Sequence, residues 1–325
     1  MMRIRPLSPS GKDLPEIAVV VVGEANDDGF NASGLAGARA AKDAGIARIS
    51  IIDGLAYDAR AITESLLAAM ADFDGLVFIG GQGDSVMPHI ARAFGRKRFA
   101  IVQGESRLAN LACYDVAQEQ SAFLAGCLAA WMTRTGTVGH LSGHRVRPGL
   151  KARAAFVEGV RHAAPDVAVL TSFCGSQDDN QVTRQWADAQ IEAGADIIFT
   201  MLNGARSGAI DACRAGEAWQ IGNALDWVAL HPDVFLASAL ARIDRGVERA
   251  IADVAAGNMP VASVSLGLAE GDYVGLSLGG EVPDDVAERL QPVVRALKGG
   301  DLALGGDFDG PEFVPGVAAE ARECS

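Results

Sequence analysis

Asp27, Phe30 and Asn31 sit within five residues of one another, in a turn that also holds Asp28 and Gly29. Asp or Asn at such a place caps a helix. Phe30 has no capping role. An aromatic ring beside carboxylate and amide groups makes a stacking and hydrogen-bonding platform for a flat heterocycle. Similar polar positions recur after other apolar runs: Gly81 and Gln82, Asn203 with Gly204, Asn223, and Trp227 behind Asp226. Phe199 lies inside an apolar run, where a buried strand residue and a ligand contact are both open readings.

Other chemistries lack their residues. The first strand-to-helix turn reads Gly23-Glu24-Ala25-Asn26-Asp27-Asp28-Gly29-Phe30-Asn31. It has no close-approach glycines for a pyrophosphate, and it carries carboxylates where one would lie. No phosphate-cradling GxxxxGK[ST] occurs. Gly275-Leu276-Ser277-Leu278-Gly279 matches GxSxG in letters, but Gly280, Glu281, Val282 and Pro283 cannot open the helix that a nucleophile elbow needs, so it reads as a glycine-rich strand. His140 and His144 have no accompanying carboxylate cluster, and the histidines read as surface or strand-end residues. The five cysteines form no CxxC pair and read mostly as small buried hydrophobes. No cofactor, metal or catalytic set is expected.

These positions need elements to hold them. Short apolar runs alternate with helical stretches: strands at 17–23, 48–53, 75–80 and 98–104, helices at 31–44, 59–70 and 85–94. A second block repeats the grammar, with strands at 138–142, 168–174, 197–202, 219–222 and 235–238, and helices at 117–132, 149–162, 180–193, 206–214 and 241–256. Continuous apolar strands between helices imply parallel sheets covered on both faces. The fold class is α/β, with two doubly wound lobes. Such sheets place ligands at the carboxyl ends of their strands, and two lobes make a cleft the natural site. The expected lobes are 1–114 plus about 238–268, and 115–237 plus about 269–325. The tail from 261 onward is too glycine-rich to assign.

The chain has 325 residues, 49% of them apolar, with 41 acidic and 28 basic residues and a net charge of −13. That field repels phosphate backbones and anionic membranes, so nucleic-acid binding is not expected. No apolar run approaches the roughly 20 residues of a membrane helix, so no direct membrane insertion is expected.

Asp27-Asp28-Gly29-Phe30-Asn31 resembles the D-x-[SG]-F-N signature of the basic membrane protein family of substrate-binding proteins, whose members are similar to the purine nucleoside receptor lipoproteins of ABC importers. Further similar stretches follow in order: Glu119 to Gly126, Arg134 to Gly139, Phe156 to Val160, Ala193 to Phe199, and Ser238 to Asp244. The resemblance implies a type I periplasmic-binding-protein fold with a hinge, no catalysis, and an ABC transporter permease as partner. It implies that Phe30 stacks on a purine, that Asp27 and Asn31 bond the base edge, and that Phe199 covers the other face. Gln82, Asn203 and Asn223 are expected to read polar edges.

The sequence departs from that family where a sugar would be held. An Asp that would take ribose hydroxyls is Asn223 here, and a family Lys is Ala241. An amide has one acceptor oxygen, so it replaces a carboxylate only in part. Together these favour a free purine base over a nucleoside, with Trp227 filling the space of a ribose. The alternative is a cytosolic ligand-sensing module coupled to a regulatory partner. The family's lipoprotein anchor is an N-terminal cysteine, and no cysteine precedes Cys113. A natural start at Met1 would imply a cytosolic protein, and a removed leader a periplasmic or membrane-anchored one.

Overall fold

The computed structural model describes residues 2–7, 14–27 and 29–316. Asp28 and Cys324 therefore lie outside the described residues. The strands are β1 (Arg3–Pro6), β2 (Glu16–Val22), β3 (Arg48–Leu55), β4 (Gly75–Ile79), β5 (Arg98–Val102), β6 (Leu111–Val116), β7 (Thr137–Ser142), β8 (Ala168–Phe173), β9 (Ile197–Met201), β10 (Trp219–Ala224), β11 (Phe235–Ala241), β12 (Val264–Leu266) and β13 (Val274–Leu278). The α-helices are α1 (Phe30–Asp43), α2 (Ala59–Ala69), α3 (Gly83–Ala93), α4 (Gln118–Met132), α5 (Arg147–Ala163), α6 (Asn180–Glu192), α7 (Arg206–Ala215), α8 (Trp227–Leu230), α9 (Ile243–Ala256) and α10 (Asp284–Gly299).

The chain forms two compact units. The first comprises Met1–Gln118, Val146–Pro148 and Ala241–Val274; the second Glu119–Arg145, Gly149–Leu240 and Gly275–Ser325.

The first unit is built on a seven-stranded sheet in the order β1-β3-β2-β4-β5-β6-β12. β1 is antiparallel to β3, and the other pairs are parallel. β2 shows why the sheet sits in the middle: every residue from Ile17 to Val22 is buried. Alternate side chains feed two cores. Ile17, Val19 and Val21 pack with residues of α1 and α9, and Ala18, Val20 and Val22 with residues of α2 and α3.

The second unit holds a six-stranded sheet in the order β13-β11-β10-β9-β7-β8. β9, β10, β11, β7 and β8 pair in parallel where they adjoin. Leu141, Ile198 and Phe235 meet residues of α6 and α7. Downstream of α10, an irregular segment runs along β8: Phe313 N donates to Thr171 O at 2.8 Å, and Glu312 accepts from Arg153 Nη1 at 2.8 Å.

The two parallel-dominated sheets agree with the expected α/β class, and the differences have physical causes. The strand expected over 98–104 stops at Val102, because Gln103 turns into the left-handed region at φ 74°. β1 has no apolar run; Arg3 and Arg5 instead ion-pair with the buried Asp53. The 275–279 stretch is strand, as read. His140 is not a surface histidine. It is fully buried within β7, beside Phe156, Phe173 and Phe199. Cys113, Cys127 and Cys213 are buried and Cys174 is half-buried.

Candidate functional site

In the first unit, β2 ends in the turn that carries Asp27. Its carboxylate accepts from Gly29 N at 3.0 Å, Asn31 N at 3.0 Å and Ala32 N at 2.9 Å. These amides open α1, whose N-cap residue is Gly29, so the Asp27 carboxylate satisfies them from two residues upstream. Burial raises the Asp27 carboxyl above its ordinary range, against the amides, which favour the charged form. Asn31 donates from Nδ2 to Val22 O and Glu24 O, each at 2.9 Å. The two polar residues expected to read a ligand edge are thus bonded to their own turn. What they hold in place is Phe30, the half-buried first residue of α1.

β4 ends beside it. Gly80 has φ 111°, and a Cβ there would lie 2.6 Å from Gln82 Oε1 and 3.7 Å from Phe30 Cε1. The glycine therefore lets the Gln82 amide and the Phe30 ring share one corner. Gly81 is half-buried, and a Cβ on it would lie 3.2 Å from Pro148 Cδ and 3.4 Å from Gln103 O. Phe30, Gly81 and Gln82 are thus brought together at the carboxyl ends of adjacent strands.

Gln103 belongs to the same edge and was missed from sequence. It is fully buried, its Nε2 donates to Val116 O at 3.1 Å, and among the described residues its Oε1 has no partner. A polar residue where a buried strand stops was the available signal.

The second unit treats its expected residues differently. Phe199 is 1% exposed and stacks on Phe156 at 5.1 Å, with His140 at 6.0 Å. Of the two readings left open for it, the strand-core one describes its surroundings here, packed among the rings of its own unit. Trp227 is also buried, against Phe235 at 5.8 Å and His231 at 6.3 Å. Its ring is thus packed among residues of its own unit. Asn203 is half-exposed in the turn after β9, and its carbonyl accepts from Arg206 N at 3.2 Å. Asn223 is half-buried near the carboxyl end of β10, where Ala224 takes a left-handed φ of 65°.

Arg206 links these residues and was not singled out from sequence. It is buried at the start of α7. Its Nη1 donates to Thr200 Oγ1 at 3.0 Å, and its Nη2 to the Leu202 carbonyl and, at 2.7 Å, to Asn223 Oδ1. Its guanidinium stacks over the Trp227 ring at 4.2 Å. A cation just past the Asn203-Gly204 turn was the available signal.

Residues 14–298 match a family model described as Bmp, ABC transporter substrate-binding protein PnrA-like. The chain belongs to this Bmp family. Basic membrane protein A of Borreliella burgdorferi is 24% identical over 243 residues, 73% of this chain and 71% of that protein. A purine-binding protein of Brucella abortus is 24% identical over 227 residues, covering 68% and 62%. The transcriptional activator protein med of Bacillus subtilis is 22% identical over 190 residues, covering 57% and 59%. Among solved structures, an ABC transporter solute-binding protein from Aeropyrum pernix superposes with a TM-score of 0.80 at 20% identity, over 91% of this chain and 94% of that one. The Bmp chain thus has the type I periplasmic-binding-protein fold. Its family is one of substrate-binding proteins, which implies a ligand and an ABC permease partner.

Proposed function

We propose that this chain binds a purine-like heterocycle, a free base in preference to a nucleoside, and delivers it to an ABC permease without catalysis. The observation that carries the reading is the corner formed by Phe30, Gly80 and Gln82, an aromatic ring beside an amide at the carboxyl ends of parallel strands. The purine-binding name of the Brucella relative supports the same ligand class. Asp27 and Asn31 serve by fixing the ring. Asn203 and Asn223 supply polar contacts from the second unit. Binding acts by stabilising a closed population, which the ligand favours only by as much as it binds that form better. A periplasmic or membrane-anchored location goes with delivery to a permease.

The test is Phe30→Ala. Base–aromatic stacking is worth about 1–3 kcal/mol per base, so purine affinity falls by that amount while the fold is retained. Unchanged affinity would remove the stacking role.

A second reading is a ligand sensor coupled to a regulatory protein, located in the cytoplasm. The relatives named as transcriptional activators favour it, among them the comK activator structure from Bacillus halodurans, with a TM-score of 0.72. Capture of a regulator instead of a permease by the ligand-loaded chain would decide for it.

A further inference from the structure

We propose that Asn223 is a one-directional hydrogen-bond donor that selects ligands with a carbonyl oxygen facing it, and that Arg206 orients it. The proposal rests on the heterocycle-binding reading above. An asparagine amide can be turned either way, offering an acceptor oxygen or two N–H donors. Arginine has donors only, so a bond from Arg206 Nη2 to Asn223 at 2.7 Å fixes the oxygen toward the guanidinium and Nδ2 away from it.

The lock is held from several sides. Thr200 Oγ1 and the Leu202 carbonyl fix the guanidinium fork. Trp227 stacks beneath it at 4.2 Å. Trp227 is tied back to two strands, its Nε1 donating to Asn223 O of β10 at 3.0 Å and its backbone N to Ser238 Oγ of β11 at 2.9 Å. Gly222 makes room for the indole, since a Cβ there would lie 2.5 Å from Trp227 Cδ1. Among the described residues nothing accepts from Asn223 Nδ2, and Asn223 is half-buried at the carboxyl end of β10.

The chemistry follows from direction. A ribose hydroxyl can accept from Nδ2, but its own proton finds no free acceptor there, since the amide oxygen is already held by Arg206. An exocyclic amino group meets Nδ2 as donor against donor. A carbonyl oxygen accepts from Nδ2. Asn223 is thus a specificity residue, and Arg206 a positioning residue.

The experiment titrates xanthine, hypoxanthine, adenine and inosine into the wild type, Asn223→Asp, Asn223→Ala and Arg206→Lys by calorimetry, with circular dichroism to check folding. The wild type is expected to bind the oxo bases about tenfold more tightly than adenine, the worth of one neutral hydrogen bond. Asn223→Asp sets an acceptor against the carbonyl and is expected to reverse that ratio. In Arg206→Lys the ratio is expected to fall toward one, whereas a merely structural role would weaken every probe alike. An unchanged ratio in folded Asn223→Asp and Asn223→Ala, with purines still bound, would overturn this inference and leave the heterocycle reading standing. Binding of none of the four probes by the folded wild type would overturn both.

Discussion

Phe30 and His140 show how differently two rings in one chain are used. Phe30 is left half-buried in a turn held by the Asp27 carboxylate and the Asn31 amide. His140 is fully enclosed, with Nδ1 bonded to Thr171 Oγ1 at 3.0 Å and Nε2 to Ser142 Oγ at 2.8 Å. Burial, with Arg153 nearby, lowers its pKa from 6.5 to about 3. The unfolded chain therefore binds a proton here below about pH 6.5 that the folded chain refuses until about pH 3. Stability is accordingly lost as pH falls through that window. Unfolding titrations of the wild type and His140→Gln are expected to show a shallower loss between pH 6.5 and 5 in the variant; identical slopes would contradict this. The site residues were only partly legible for the same reason. Phe30 and Gln82 follow strand ends, where sequence position alone implies access. Phe199 and Trp227 depend on which face of a sheet they occupy, and neighbours remote in sequence decide that. Arg206 was hidden because a buried cation is identified by its partners Thr200, Asn223 and Trp227, none of which its own spacing reveals.

At the scale of elements, glycines decide how closely helices approach. A methyl group on Gly37 of α1 would overlap the Asp244 carbonyl oxygen of α9. Gly126 of α4 stands in the same relation to Phe156 of α5, and Gly159 of α5 to Phe123 of α4. Gly37→Ala is therefore expected to destabilise the fold by about 1–3 kcal/mol, read as a lowered midpoint in chemical denaturation. An unaltered midpoint would mean that α1 and α9 part without cost. The central elements were readable because they are buried on both faces or carry helical periodicity. The remainder failed for local reasons. β1 is held by charges rather than by apolar residues. α10 buries Val286, Leu290, Val293 and Leu297 at helical spacing, yet it lies among glycines that obscured the tail. β6, Leu111–Val116, merged with the passage into the second block, since no turn residue separates it from α4 beyond Ala117.

At the scale of the molecule, the chain carries a net charge of −13, and among the described residues no helix is long and apolar enough to cross a membrane. The Bmp family match over residues 14–298 gives its binding a class, and the carboxyl-end groups of the two sheets give it candidate residues. If ligand favours a closed arrangement, scattering should register a smaller radius of gyration when a saturating purine is added, and an unchanged radius would remove closure from the proposal. Whether this chain holds a purine-like heterocycle is decided by calorimetric titration of the folded protein with xanthine, hypoxanthine, adenine, guanine and their nucleosides. Saturable one-to-one binding of at least one free base, tighter than that of its nucleoside, is expected. Heat of dilution alone from every base and nucleoside, with the protein folded, would contradict it.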